Sequence, residues 1–204
     1  MTAPVDSKND FYLENFKILA NILFALCMFA SVLKVEFTSN NLSQRDLAEL
    51  LRENINAFFN FIVAFAFLAM YWVKFVGKLH YIRTSDAKLL GGWLVYLAVL
   101  CIYPFAENLL GNYPGEIIAQ IVFSSLWAAI GIVSFANWWY ANKAGLVDPQ
   151  MSPVTSKRLL FESFPEPAIA LLSIPFALVS DWAYYGIMLL IVPTNFMISR
   201  RFSE

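Results

Sequence analysis

Six long stretches of this sequence contain no charged residue, and that spacing leaves few folds open. The apolar runs are residues 18–33, 58–73, 89–105, 117–139, 167–179 and 182–198. A helix rises about 1.5 Å per residue, so most of these runs approach the roughly 30 Å of a bilayer core. The charged residues that remain, 14% of the chain against about 25% in soluble domains, cluster between the runs. Mean hydropathy is +0.60. Together these features describe a multi-span membrane protein rather than an apolar soluble core.

The last two runs need separate treatment. One helix over residues 167–198 would be about 48 Å long, more than a bilayer accommodates. A hairpin with Asp181 at its turn is expected instead, and Pro175 is expected to kink the shorter arm. The segment ahead of the first run carries Asp6, Asp10 and Glu14 against Lys8 and Lys17, unlike the positive leader of a cleaved signal, so a retained span is expected.

Basic residues orient the spans. With six crossings, Lys8, Lys17, Lys74, Lys78, Arg83, Lys88, Lys143, Lys157, Arg158, Arg200 and Arg201 share one side, and Lys34, Arg45 and Arg52 the other. The positive-inside rule then puts both termini in the cytoplasm. The expected fold is an all-α integral membrane protein with one domain over residues 1–204. Its six transmembrane helices fall at about 14–35, 55–76, 88–107, 116–142, 164–180 and 182–199. Between the first two, Ser43-Gln44-Arg45-Asp46 reads as a capping box. Leu47, Leu50 and Leu51 follow at helical spacing, predicting a short amphipathic helix over the outer face.

Polar residues in or at the start of spans are few: Asn21, Asn54, Asn56, Asn60, Gln120, Ser124, Ser125, Ser134, Asn137, Thr194 and Asn195. No ionisable residue is centred in a run, which disfavours an ion-coupled carrier. No serine has a histidine or lysine beside it at membrane depth, so an enzyme is not expected. Cys27, Cys101 and His80 lack metal-ligand spacing, so neither a metal site nor a cofactor is expected. The two cysteines read as small apolar residues. A net charge of −1 gives no footprint for nucleic acid.

The first run offers one distinctive face. Ala20, Leu23, Cys27, Ala30 and Lys34 align at helical spacing and are small apart from Leu23 and the terminal lysine. Such a face suits a pore lumen or close helix packing equally well.

Several motifs carry a resemblance. They are Leu13-Glu14-Asn15-Phe16 ahead of the first run and Lys34-Val35 after it, Tyr71-Trp72-Val73, Leu79-His80-Tyr81-Ile82 with Asp86 and Leu89-Leu90, and Pro104-Phe105. Leu109-Leu110-Gly111-Asn112-Tyr113, Leu171-Leu172-Ser173-Ile174-Pro175-Phe176-Ala177 and Pro193 complete the set. Together they resemble the prokaryotic branch of the lysosomal potassium channel family, transmembrane protein 175. The resemblance implies a six-helix subunit without a pore loop, in a prokaryotic plasma membrane. It further implies a homotetramer in the lipid bilayer that conducts potassium or another small monovalent ion. Counted from Phe16, it makes Leu23, Cys27 and Ala30 the pore-lining or constriction positions, the row that periodicity also selects. Lys17 and Lys34 then stand at the two pore mouths. The family's Arg-x-x-x-Phe-Ser-Asp motif falls on Tyr12 to Ile18, where Phe16 is kept and Lys17 and Ile18 replace Ser and Asp. Family histidines near the second span are replaced by Lys74-Phe75-Val76. The alternative is a non-conducting membrane interaction or regulatory protein on the same fold.

Overall fold

In the computed structural model, which describes residues 7–32 and 44–201, the described residues form eight helices and no sheet. They are α1 (Ser7–Val32), α2 (Gln44–His80), α3 (Ala87–Asn112), α4 (Ile117–Lys143), α5 (Pro153–Phe161), α6 (Pro165–Ala177), α7 (Asp181–Leu189) and α8 (Ile191–Arg201). Five stretches are long and apolar enough to cross a bilayer: Phe11–Ser31, Phe61–His80, Ala87–Asn112, Ile117–Lys143 and Pro153–Ala177. The chain is a multi-span all-α membrane protein.

Helix α2 departs most from expectation. It is one helix of 37 residues, about 55 Å long, and it takes in the segment expected to form a separate surface helix. Its only glycine is Gly77 and it has no proline, so nothing interrupts the ladder between the two segments. At its other end it runs to His80, beyond the expected limit at 76, and carries Lys74 and Lys78 within the apolar stretch. Helix α5 was not anticipated either. Its signals are local: the Ser152 hydroxyl accepts from the Thr155 backbone N–H at 3.1 Å, and Pro153 opens the first turn.

The expected hairpin at Asp181 is present. Ser180 caps α7 by accepting from the Ala183 N–H at 3.2 Å, and α6 and α7 pack together. The segment after it is broken, with α7 ending at Leu189 and α8 beginning at Ile191. Pro193 explains the break. It has no N–H for the Leu189 carbonyl, and its ring crowds that carbonyl.

Two sets of contacts close the ends of the bundle. At the basic end, the α2–α3 and α4–α5 loops meet in an isolated Ile82–Val147 bridge, with Asp148 N–H donating to Tyr81 O at 2.8 Å and Arg83 N–H to Leu146 O at 3.0 Å. At the opposite end, Gln120 Nε2 donates to Asp181 Oδ1 at 2.7 Å and to Pro114 O at 2.8 Å. Below it Ser124 bonds both Ser173 (2.9 Å) and Tyr184 (3.1 Å), joining α4, α6 and α7.

Helices α4 and α6 approach closely at Gly131. A Cβ there would lie 2.4 Å from Pro167 Cδ, inside any tolerable contact. Gly131→Val is expected to destabilise the protein by about 1–3 kcal/mol, the usual cost of overpacking. Thermal unfolding in detergent checks this, with Gly91→Val, where a Cβ meets open space, as the neutral comparison.

Candidate functional site

Helix α1 presents two unlike faces. Leu13, Phe16, Ala20, Phe24, Cys27 and Ser31 are buried, spaced three or four apart in one stripe. Ile18, Leu19, Ile22, Leu26 and Phe29 are exposed. The buried stripe packs on α2 and α3 through an aromatic knot. The Phe75 ring lies 6.2 Å from Phe16 and 5.5 Å from Phe24. It stacks on Tyr96 at 5.5 Å and meets the edge of Trp93 at 5.2 Å.

The residues singled out from sequence divide between these faces. Phe16 is buried in the knot, and Ile18 is exposed. Leu23 and Ala30 are half-buried, at the border of the stripe. Cys27 is only 5% exposed, and its Sγ lies 3.8 Å from Cys101 Sγ on α3, so the chain's two thiols meet. Lys17 pairs with Glu14 at 2.8 Å, one turn away, and lies beside Val76, Leu79 and His80 of α2. Lys34 lies outside the described residues. The open row Ile22, Leu26 and Phe29 repeats the spacing of Leu23, Cys27 and Ala30 one position earlier, a rotation of about 100°. In this conformation the open row is the face of α1 left uncovered by the rest of the chain.

A second constellation went unread in the sequence. Lys74 and Lys78 lie one turn apart on α2, about 100° and 60° round the helix from Phe75. Lys74 Nζ pairs with the Glu166 carboxylate and donates to Glu162 O at 3.1 Å and Asn195 Oδ1 at 3.2 Å. Lys78 Nζ donates to Ser134 Oγ and Ser163 Oγ, each at 2.5 Å. Glu166 and Lys78 are both 2% exposed, so each charge depends on these partners. The available signal was i,i+4 spacing: two lysines on one face of an apolar helix, with Glu166 at the first turn of another. A cavity of about 620 Å³ lies away from this cluster, among Phe67, Tyr103, Trp127, Tyr185 and Ile191.

The spans, the aromatic knot and the paired lysines define a helical membrane bundle whose first helix is held along one side only. A family profile described as endosomal/lysosomal potassium channel TMEM175 matches residues 15–104. Over that segment, less than half of the 204-residue chain, the sequence is similar to that family. The fold agrees. The crystal structure of a lysosomal potassium-selective channel TMEM175 homologue from Chamaesiphon minutus superposes with a TM-score of 0.73 at 16% identity, covering 92% of this chain and 98% of that one. The potassium channel MtTMEM175 T38A variant, solved with a nanobody–MBP fusion, gives 0.66 at 17% identity over 92% of each chain. No curated protein matches the sequence.

Asp86, inside the matched segment, ties the basic end together. It caps α3 by accepting from the Leu89 N–H at 2.7 Å, and it accepts from the Tyr140 hydroxyl of α4 at 2.5 Å. Burial raises its pKa, but these hydrogen bonds outweigh burial and hold the carboxyl below its usual range. Its stabilisation is therefore complete above the usual carboxylate range and is lost as pH falls through the depressed folded value. Asp86→Ala should cost about 1 kcal/mol at neutral pH, the loss of a helix cap. The gap between the variant's unfolding curve and that of the wild type should narrow as the solution is acidified.

Proposed function

We propose that this protein is an ion channel in which several copies, four by the resemblance, surround one lumen lined by α1. The last segment, α7 with α8, is the sixth crossing, so both termini lie in the cytoplasm beside the basic end. Asp181 pairs with Gln120 at one end and Asn195 of α8 meets Lys74 near the other, which supports an even number of crossings. The observation that carries the channel reading is the family match over residues 15–104, which takes in most of α1 and of both helices it packs on.

Leu23 forms the narrowest apolar ring. It belongs to the row read from sequence (Leu23, Cys27, Ala30), is half-buried, and borders the one left open (Ile22, Leu26, Phe29). The open surface favours the second row. Lys17 at the mouth is offset by Glu14 one turn away, so four copies contribute little net charge. The permeant ion is a monovalent cation, with potassium the one the family implies.

Reconstituted protein should carry potassium flux into liposomes without valinomycin, and Leu23→Ala should raise it several-fold. Under a KCl gradient the reversal potential should be cation-selective and unchanged in Lys17→Ala. Labelling decides the row. With Cys101→Ser, a hydrophilic thiol reagent that modifies Cys27 in the oligomer selects the first row, and silence selects the second. Complete absence of flux would favour a non-conducting interaction protein, a reading suggested by Lys17 and Ile18 in place of the family's Ser and Asp.

A further inference from the structure

Helix α1 rests principally on α2 and α3, so the C-terminal helices act on it through those two. On α2 the connection is made by Phe75 and by Trp72, whose Nε1 donates to Asn21 Oδ1 of α1 at 3.0 Å. Phe75 grips Phe16 and Phe24 of α1, and its neighbour Lys74, about 100° round the helix, reaches Glu166 of α6, the Glu162 carbonyl before it and Asn195 of α8. Three acceptors use all three protons of the Lys74 ammonium. One turn on, Lys78 reaches Ser134 of α4 and Ser163 at the start of α6. The Ser163 hydroxyl donates onward to Leu159 O at 3.0 Å, so it meets Lys78 as an acceptor.

We propose that the Lys74–Glu166 pair, extended through Asn195 and Lys78, is a positioning clamp for α1. It fixes the rotation of the basic end of α2 and, through Phe75, decides which row of α1 faces away from α3. The conduction half of this proposal rests on the channel reading above. The clamp itself does not, because it is a statement about how α1 seats on α3.

Two features separate a clamp from general stabilisation. The charges are buried, so removing one partner leaves the other uncompensated and forces a local rearrangement. In addition, the opposite end of the bundle has its own polar joint at Ser124, Ser173 and Tyr184, which shares no atom with the cluster. Loss of the clamp should therefore loosen α1 from α3 at Cys27 and leave Ser124 closed.

The test uses full-length protein with Cys27 as its only thiol, through Cys101→Ser. In this background Lys74→Met and Glu166→Gln should each raise the rate of Cys27 modification by N-ethylmaleimide at least tenfold. Lys74→Arg should stay within about twofold of the parent, since the charge is kept. A parallel set with Cys27→Ala, Cys101→Ser and Ser124→Cys should show no increase in any variant. Asn195→Ala, which keeps both charges, should give a smaller rise at Cys27 and serves if the stronger variants do not fold. Unchanged Cys27 rates in Lys74→Met, Glu166→Gln and Asn195→Ala would overturn the clamp, as would equal loosening at Ser124. Liposome flux is measured on the same proteins. A parent without flux defeats the channel reading alone, whereas a parent with flux and unresponsive Cys27 defeats the clamp alone.

Discussion

An ammonium group costs several kcal/mol to remove from water, and a helical membrane bundle keeps one only if its protons are met elsewhere in the protein. That constraint organises the basic end of this molecule. Lys74 and Lys78 draw in Glu166, Asn195, Ser134 and Ser163 from parts of the chain that lie far apart in sequence. Their requirement for partners fixes how α4, α6 and α8 meet α2. Without it the apolar faces of these helices would have little to choose between neighbouring registers, because lipid tails satisfy them as well as protein does.

The architecture was legible wherever hydropathy and charge act over whole helices. The first four apolar runs became α1 to α4, and Asp181 marks the expected hairpin turn. Break points were harder. Pro193 interrupts the last segment at Leu189, whereas Pro104 sits inside an unbroken α3, so proline alone does not locate a break. The reach of α2 was underestimated because its lysines were read as loop residues. Only the positions of Glu166 and two serines reveal that they are inside. Linear spacing cannot show a partner 92 residues away.

The same limit applies to α1. Periodicity found a face of small residues and left two readings open, lumen and packing. Cys27 against Cys101, and Ala20 without exposed surface, show that part of this face serves packing within the chain. Phe24, one position past Leu23, is buried to 1% because its partner is the ring of Phe75, a contact that depends on a different helix. Faces of a helix are legible one at a time. The choice between them is made by neighbours.

The unbroken length of α2 has a mechanical consequence. From residue 44 to 76 it contains neither glycine nor proline, and its first 17 residues run about 25 Å past the candidate span Phe61–His80. Such a rod has no joint at which a tilt could be absorbed. With the bundle as fulcrum, a sideways push on the projecting arm becomes an opposite movement of Phe75 and Lys74 at the far end. Whatever touches the protein on that side has leverage over the seating of α1.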